Sequence, residues 1–356
     1  TDNLPRIDYT GGTPSILLEP SRQNRLPNSE YFGDWINTSA SFAYNVSNSP
    51  EGVKNAIRII PNSSDFQIKA PVNTTTGTSA ILIENTFSVF LKYETGGFEY
   101  AVLGSGAPQQ RYVFNIAEGT KVGSIGSTSV PDGKTSIESY GNGWYRCAVT
   151  TNNTAGNKHS IYLSDDGTGI TATGANGTKG MLAWGAQAER EKSYATSYIP
   201  TYGSSATRAA DSLSKYDLTD STSQTIFFQF KNVGYVGGGG EVVIEKANPV
   251  AAIFRIYAQA TSGGVVLIKF RAEFPVENYT FNTGKQTSEV QKVAFSISGT
   301  TAKAYCNGQL RHTFTITETE MQVLNWRVQN TKYSTDQLLL FPTALSDDDC
   351  EALTSL

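Results

Sequence analysis

Short segments in which apolar and polar residues alternate run along almost the whole chain. Residues 86–93 are the clearest example, with Phe87, Val89 and Leu91 at every second position. Alternation with a period of two is typical of a β-strand that has one face in a core. Phe90 falls on the opposite side of the same strand, so we expect that side to be partly covered as well. Clusters of Gly, Pro, Asn and Ser separate the segments and predict turns.

The first two hundred residues contain about ten such segments, at the spacing typical of a β-sandwich. The main ones are residues 56–60, 66–69, 80–83, 86–93, 100–103, 112–116, 143–149, 160–164 and 181–187. A second series follows at residues 224–230, 241–245, 254–257, 265–270, 293–298 and 302–306. The pattern therefore predicts an all-β protein made of two antiparallel sandwiches in tandem.

Two local signals near the end of the chain are independent of this alternation. Asn307 and Gly308 form the Asn-Gly pair that favours a two-residue hairpin, because both positions of a type I′ turn need a positive φ. Ser346 is followed by three aspartates, which predicts a short helix with a capping hydroxyl and acids at its positive end. We expect Trp35, Trp144 and Trp184 to lie in the core.

A chain of 356 residues exceeds the size at which one core usually keeps growing, so two domains are expected. Residues 184–211 join the two series of strands. Within them Gly203, Ser204 and Ser205 have little side chain to bury, which predicts the boundary between Tyr202 and Thr207. We assign residues 1–24 to an extended connector, 25–203 to the first sandwich and 204–356 to the second.

The joining stretch also resembles a signature of bacteriophage and prophage tail-fibre and head-spike proteins. The matching residues are Gly185, Ala186, Gln187, Glu189, the run SYATSYIPT at 193–201 and TRAAD at 207–211. Residues 5–24 and the GNGWYRC at 141–147 are similar to the same family. One departure is at residues 19–24, which read EPSRQN where the family usually has EPxRTN.

The resemblance implies a carbohydrate-binding jelly roll followed by a concanavalin-like or laminin-G-like sandwich. It also implies a place on the virion surface, with a bacterial surface polysaccharide and other virion proteins as partners, and it leaves a homo-oligomer open. Jelly rolls of this kind often hold a structural calcium ion with oxygen ligands. By this resemblance Glu30, Gln187 and Glu189 are the candidate calcium ligands.

Composition excludes several classes of function. A net charge of −4 and the absence of a basic cluster argue against nucleic acid. No apolar run reaches the roughly 20 residues that span a bilayer, so we expect no membrane insertion. The three cysteines, Cys147, Cys306 and Cys350, are widely spaced and form no metal-binding pattern with the two histidines, so we expect free thiols.

Catalytic motifs are missing as well. His159 and His312 stand beside no Ser or Cys nucleophile motif, and the glycines 237–240 lack the lysine and helix of a phosphate-binding loop. A pair of carboxylates is enough for glycoside hydrolysis, but exposed acids on alternating strands have the same pattern. The acids at strand positions are Glu84, Glu94, Glu99, Glu138, Glu241, Glu245 and Glu273.

A sugar site has better support, because sugars stack on aromatic rings and form hydrogen bonds with planar polar side chains. Tyr93, Tyr100, Arg111 and Tyr112 bring both chemistries to neighbouring segments of the first sandwich. Arg111 and Tyr112 are adjacent and cannot face the same way on a regular strand, so at least one of the four has to be wrong. We rank Arg111 and Tyr100 first and Tyr93 last.

The second sandwich offers a similar set, namely Arg255, Tyr257, Lys269, Arg271 and Trp326. The sequence thus favours a non-catalytic virion protein that recognises a glycan. Two alternatives stay open, a polysaccharide-degrading lyase or hydrolase and a structural decoration protein of the virion.

Overall fold

We describe the protein from a computed structural model. The structure describes residues 6–8, 15–19, 21–75, 83–106, 108–154, 156–192, 194–211, 213–214, 223–231, 241–247, 252–261, 264–273, 276–286, 289–316, 325–328 and 333–355. The chain divides into two compact units, residues 22–208 and residues 1–21 together with 209–356. Each unit has a main hydrophobic core of its own.

The strands are numbered in chain order. Strands β1 to β16 are Arg6–Asp8, Ser15–Leu18, Arg22–Asn24, Ile36–Thr38, Ala40–Ser47, Ala56–Pro61, Gln67–Lys69, Ile83–Lys92, Tyr100–Gly106, Gln109–Asn115, Thr120–Ile125, Thr135–Ser139, Trp144–Asn153, His159–Ser164, Met181–Arg190 and Ala206–Arg208. Strands β17 to β27 are Leu213–Ser214, Ser223–Lys231, Glu241–Ala247, Ala252–Ala260, Val265–Glu273, Val276–Gln286, Gln291–Ser298, Thr301–Cys306, Gln309–Thr315, Asn325–Val328 and Tyr333–Phe341. Helix α1 is Asp347–Thr354, and a single 3-10 turn covers Asp132–Lys134.

The unit of residues 22–208 is a sandwich of two antiparallel sheets. Sheet I has the strand order β11-β10-β9-β14-β7-β4, and sheet II has the order β12-β13-β8-β15-β6-β5. Inward side chains of both sheets, such as Leu103 and Ile161 from sheet I and Val89 and Val149 from sheet II, share one core. Burial of these apolar side chains is what stabilises the two layers against each other.

The other unit also contains two antiparallel sheets. Its seven-stranded sheet has the order β1-β2-β27-β18-β23-β24-β25, and its six-stranded sheet has the order β17-β26-β19-β20-β21-β22. Their inward faces form a core rich in phenylalanine, including Phe228, Phe254, Phe270 and Phe295. Helix α1 covers a smaller cluster around Tyr305 on the outer face of the seven-stranded sheet.

The predicted all-β class with a short C-terminal helix is confirmed. Phe87, Val89 and Leu91 lie in the core of their unit, and Phe90 lies in a second buried cluster on the outer face of sheet II. Asn307 and Gly308 have φ values of 50° and 77° and join β24 to β25.

The predicted helix cap and the three tryptophans are also confirmed. The Ser346 hydroxyl accepts a hydrogen bond of 3.2 Å from the Asp349 amide at the start of α1. Trp35, Trp144 and Trp184 are each 2% exposed. Residues 80–82 of one predicted strand and the glycines 237–240 lie outside the described residues.

Several strands without a buried residue are absent from the predicted set, among them β4, β5, β11, β12 and β22. The eleven residues of Val276–Gln286 alternate between exposed and half-buried, but few of them are apolar. Hydrogen bonds to the neighbouring strand β21 hold such a segment in the sheet, so its own hydrophobicity is a weak signal.

The first and last residues of the joining stretch belong to different units. Ala206–Arg208 pairs with Arg22–Asn24, and residues 204–208, which the sequence assigned to the second sandwich, fall in the unit of residues 22–208. Residues 1–24 were expected to form a connector, but Ser15–Leu18 pairs with Tyr333–Phe341 in the seven-stranded sheet. The predicted limits of independently folding domains stay a prediction, because a compact unit does not have to fold on its own. Among the described residues, no helix has the length and hydropathy needed to cross a bilayer.

Candidate functional site: a polar cleft on the outer face of sheet I

Strand alternation gives sheet I an outer face that is partly apolar and partly polar. Val102 of β9 lies opposite Val113 of β10 on one side and Tyr162 of β14 on the other. These three buried side chains form a cluster against which Tyr100 and Ile170 also pack. Next to this cluster the outward side chains become polar, and the surface there is concave.

The concave region is a cleft of about 540 Å³. Strand residues that line it are Gln67, Lys69, Gln109, Arg111, Ser160 and Tyr162. The loops around it contribute Asp65, Asn157, Lys158 and Thr171. This volume falls within the range of small-ligand sites, roughly 300–1,000 Å³.

Gly104 of β9 gives the Arg111 side chain room to lie close to the sheet. It lies outward on β9, in register with Arg111 on one side and Ser160 on the other. A Cβ at this position would lie 2.8 Å from Cγ of Arg111 and would also meet the Gln110 carbonyl. A glycine here therefore allows the neighbouring strand and the Arg111 side chain to come close.

Tyr162 forms the floor of the cleft and orients two polar side chains. Its hydroxyl accepts hydrogen bonds from Nε2 of Gln67 and from Nη2 of Arg111, the latter at 3.4 Å. The guanidinium carbon of Arg111 lies 5.1 Å from the centroid of the tyrosine ring, which is a cation–π arrangement. Tyr162 is only 4% exposed, so the cleft presents planar polar groups above a covered ring.

The loop before β14 is held in place by hydrogen bonds with residues 74 and 75. The Asn157 carbonyl accepts from the Thr74 amide at 2.9 Å, and Nδ2 of Asn157 donates to the Thr154 hydroxyl at 2.9 Å. Nζ of Lys158 donates to the Pro71 carbonyl at 2.7 Å. These contacts position Asn157 and Lys158 at the rim of the cleft before a ligand arrives.

The charge of the cleft is positive. Lys69, Arg111 and Lys158 line it, and Asp65 is the one carboxylate among its described lining residues. Burial lowers the pKa of the Lys158 ammonium, and the nearby charge of Lys69 lowers it further. The sign of the cleft is thus opposite to that of the whole chain, whose net charge is −4.

The structure separates the four predicted sugar-binding residues. Arg111 lines the cleft, and Tyr100 lies on the same outer face, where its ring packs on the Gly167 backbone. Tyr112 faces the core, is 4% exposed, and donates its hydroxyl proton to Asp132. Tyr93 follows β8 of sheet II and packs against the core. Arg111 and Tyr112 thus face opposite ways, as alternation requires.

Sequence reasoning missed most of the cleft. Tyr162 had a usable signal, because Ser160, Tyr162 and Ser164 alternate with the buried Ile161 and Leu163. Gln67 and Lys69 flank Ile68 in the same way but on a strand of only three residues. Asn157 and Lys158 carry no local signal, since they reach the cleft only through the contacts of their loop with residues 71–75.

The predicted calcium ligands take part in hydrogen bonds within the protein. Both carboxylate oxygens of Glu189 accept bonds from Thr196, at 3.0 Å from its amide and 2.6 Å from its hydroxyl. Nε2 of Gln187 donates to the same carboxylate at 2.9 Å, and Oε1 accepts from the Ile199 amide at 2.7 Å. Donor groups thus surround Glu189, which does not fit the oxygen cage that Ca²⁺ requires.

Glu30 bonds to a different set of groups. Its Oε1 accepts from the hydroxyls of Tyr198 and Tyr202 at 3.3 and 3.1 Å, and its Oε2 accepts from Asn55 at 3.1 Å. Among the described residues, no three His, Cys, Asp or Glu side chains are grouped so as to hold a metal. We therefore assign calcium no role at Glu30, Gln187 and Glu189.

Several residues on which the predicted resemblance to phage proteins rests form one structural network instead. We call residues 194–202 the latch segment. Nδ2 of Asn24 donates to the Ile199 carbonyl at 2.9 Å, and Oδ1 accepts from the Ala188 amide at 3.1 Å. The Arg22 guanidinium donates to the Tyr194 hydroxyl at 2.7 Å. The signature thus fastens the latch segment to β3 and β15.

The histidine and cysteine side chains considered for catalysis are not among the described residues that line the cleft. His159 is fully buried on the inner side of sheet I, and its two ring nitrogens contact the hydroxyls of Thr74 and Thr151 at 2.8 and 3.0 Å. Burial lowers its pKa to about 3, so the ring is neutral at neutral pH. Burial also raises the pKa of the Cys306 and Cys350 thiols, to about 12 and about 11.

The carboxylates at strand positions are in part paired with cations. Glu94 forms two bonds of 2.6 Å with Arg58, and Glu84 lies 2.8 Å from Nζ of Lys134. None of these acids is among the described residues that line the cleft. The side chains of Glu241, Glu245 and Glu273 lie outside the described residues.

The candidate set of the second sandwich is brought partly together. Tyr257 lies opposite Lys269, whose ammonium is 4.9 Å from the tyrosine ring centroid, and Arg255 lies opposite Arg271. The side chain of Trp326 lies outside the described residues. The cleft on sheet I remains the better-defined concave site.

No protein-family model matches the chain, and no curated protein matches it. Solved structures similar to part of it include the native heptameric SAP-like pentraxin from Limulus polyphemus, with 12% identity over 38% of this chain and 70% of that chain and a TM-score of 0.31. The CBM40 of the Ruminococcus gnavus IT-sialidase, bound to α2,3-sialyllactose, has 16% identity over 38% and 85% of the two chains and a TM-score of 0.30. Sheep galectin-11 in complex with glycerol has 10% identity over 37% and 96% and a TM-score of 0.28. We draw no functional conclusion from similarities at this level.

Proposed function

We propose that the unit of residues 22–208 is a carbohydrate-binding module that recognises a bacterial surface polysaccharide without cleaving it. The observation that carries this proposal is the cleft on sheet I, in which Gln67, Arg111 and Asn157 present planar polar groups around Tyr162. Sugar hydroxyls are recognised by such groups, because each can donate or accept in a fixed plane. Binding here relies more on hydrogen bonds than on stacking, since the Tyr162 ring is covered.

The lack of a second acid in the described part of the cleft favours binding over hydrolysis. Most enzymes that hydrolyse a glycosidic bond use two carboxyl groups roughly 5 to 10 Å apart on either side of the bond. Asp65 is the single carboxylate among the described residues that line the cleft, and it is exposed. His159 cannot replace a second acid, because it lies buried on the other side of the sheet.

We further propose that the chain is part of a phage or prophage virion, displayed on the particle surface. The support is the resemblance of residues 185–201 and 207–211 to the tail-fibre and head-spike signature. The network around Asn24, Gln187 and Glu189 gives that signature a structural reason, since it orders the latch segment. An adhesin with this role brings the particle to its host.

A polysaccharide-binding assay tests the glycan proposal. Labelled full-length protein is applied to immobilised bacterial surface polysaccharides, and Arg111→Ala is compared with Arg58→Ala. Both replace a half-buried arginine on a strand, but Arg58 lies on sheet II and pairs with Glu94. We expect Arg111→Ala alone to lose binding while its melting temperature stays near that of the wild type.

The alternatives give different results in the same assay. Release of reducing ends or unsaturated sugars from a bound polysaccharide would identify an enzyme. Binding to none of the polysaccharides, together with binding to particles that lack the protein, would favour a decoration protein. Blocking of phage adsorption by the purified protein would support the adhesin role.

A further inference from the structure

We propose that the cleft on sheet I selects acidic glycans, by holding an anionic substituent of the sugar between Arg111, Lys69 and Lys158. This inference rests on the proposed glycan-binding function and narrows its ligand class. The three cations line one concave surface, and Asp65 is the only opposing charge among its described lining residues. A cleft with this balance favours an anion and disfavours a cation.

The cations of the cleft are available for a ligand. Other basic residues of the same unit form ion pairs, such as Arg58 with Glu94 and Lys121 with Asp132. Among the described residues, Lys69, Arg111 and Lys158 form no ion pair. A charged group that lines a cavity without a carboxylate partner gains most from an anionic ligand, because the ligand supplies the missing charge.

Arg111 has the geometry to receive an oxyanion. Its Nε is buried and has no hydrogen-bond partner among the described residues, and Nη2 makes only the bond of 3.4 Å to Tyr162. A guanidinium offers five N–H donors in one plane, which matches the two oxygens of a carboxylate or the oxygens of a sulfate or phosphate. The Tyr162 ring below holds that plane in place.

The two lysines add charge on the side of β7 and β14. Lys69 pairs in register with Ser160, directly beside the loop that carries Lys158. Burial lowers the pKa of the Lys158 ammonium, and repulsion by the positive charge of Lys69 lowers it further. An anion bound between them would relieve this repulsion, so bound ligand and both ammonium charges stabilise one another.

Matched polysaccharides test the selectivity. Full-length protein is titrated with alginate, polygalacturonate and hyaluronan, and with each polymer after its carboxyl groups have been reduced to hydroxymethyl groups. We expect at least tenfold weaker binding to the reduced form of whichever polymer binds. Dextran sulfate and dextran phosphate, each compared with neutral dextran, show whether the site prefers carboxylate, sulfate or phosphate.

Variants separate the cleft from general charge. Lys69→Gln and Lys158→Gln should each weaken binding to the acidic form at least fivefold and reduce the ratio between acidic and reduced forms. Lys54→Gln, which removes an exposed lysine of the same unit away from the cleft, should change neither. Melting temperatures show that each variant is folded.

Three outcomes overturn the proposal in different ways. Equal binding to an acidic polymer and its reduced form, with Arg111→Ala still defective, would leave the glycan site in place and refute its selectivity for anions. Binding to none of the acidic, reduced or neutral polymers would refute both the selectivity and the proposed function. An equal loss in Lys54→Gln and the cleft variants would also refute it, since the attraction would then come from overall charge.

Discussion

In the sandwich of residues 22–208, alternate strand residues point outward on both sheets. The outer face of sheet II is covered, whereas that of sheet I has an open cleft. On sheet II the outward residues Phe90, Trp144 and Trp184 form a buried cluster, and Tyr198 of the latch segment packs against them. On sheet I the outward residues around Tyr162 include lysine and arginine and border an open cleft. Apolar outward residues thus need a cover, whereas a concave face whose cations form no ion pair among the described residues is suited to a ligand.

The largest expected effect is on the covered face. Trp184 packs with its ring centroid 4.8 Å from that of Tyr198 and 5.2 Å from that of Phe90. Trp184→Ala should lower the free energy of unfolding by about 3–5 kcal/mol, because it leaves a cavity under the latch segment. Chemical denaturation measures this loss. Tyr202→Ala, at a ring that is 75% exposed, should cost far less, and equal losses in both variants would contradict the buried cluster.

The next effect concerns the latch segment itself. Glu189→Ala removes the carboxylate that accepts hydrogen bonds from the backbone amide and hydroxyl of Thr196 and from Nε2 of Gln187. All of these groups are buried. Buried donors without a partner cost about 1–3 kcal/mol, so denaturation should show a loss of that size. Glu99→Ala, at an exposed glutamate, is the control. Neither calcium nor a chelator should change the melting temperature of the wild type. A melting temperature that rises with calcium would support the predicted calcium site.

The third effect depends on pH and comes from His159, beneath sheet I. Its pKa is about 3 in the folded protein and about 6.5 in an unfolded chain, so the unfolded state binds the proton more tightly. The stability from this neutral ring is present above pH 6.5 and is lost as the pH falls, by about 2 kcal/mol between pH 7 and pH 5.

A variant separates the contribution of His159 to the pH dependence of stability from that of the other titratable groups. His159→Asn should be less stable than the wild type at pH 7, and the difference should narrow by about 2 kcal/mol on lowering the pH to 5. Unfolding by urea at several pH values measures it. A difference that does not change with pH would show that His159 is not held neutral.

The smallest effect on stability is expected in the cleft. Arg111→Ala leaves the Tyr162 hydroxyl with its bond from Gln67, and Lys69→Gln breaks no ion pair among the described residues. Both changes should alter the free energy of unfolding by less than about 1 kcal/mol, in the range of most surface substitutions. A loss similar to that of Trp184→Ala would assign the cleft residues to a structural role.

Much of the fold could be predicted from alternation, because burial of one strand face leaves a direct trace in residue order. The clearest strands, the Asn307-Gly308 hairpin and the Ser346 cap could be predicted because each depends on residues close together in the sequence. Polar strands such as Val276–Gln286 could not be predicted, since pairing with neighbours and not their own composition places them in a sheet.

The candidate site could be predicted only in part. Arg111 and Tyr100 rank first in the sequence analysis; Arg111 lines the cleft and Tyr100 lies on the same outer face outside its lining, whereas Tyr112 faces the core. Adjacent strand residues face opposite ways, but the sequence does not show which of the two is inward until the register is known.

By itself the amino-acid sequence determined the β class, the Asn307-Gly308 turn and the capped helix. Tertiary structure alone decided which outer face is covered and which is open. Gln67 and Ser160 are 93 positions apart, yet their side chains form a hydrogen bond across the cleft wall. Such residues meet only because antiparallel pairing places β7, β14, β9 and β10 side by side. This pairing depends on many weak contacts over long separations, which no single stretch of sequence contains.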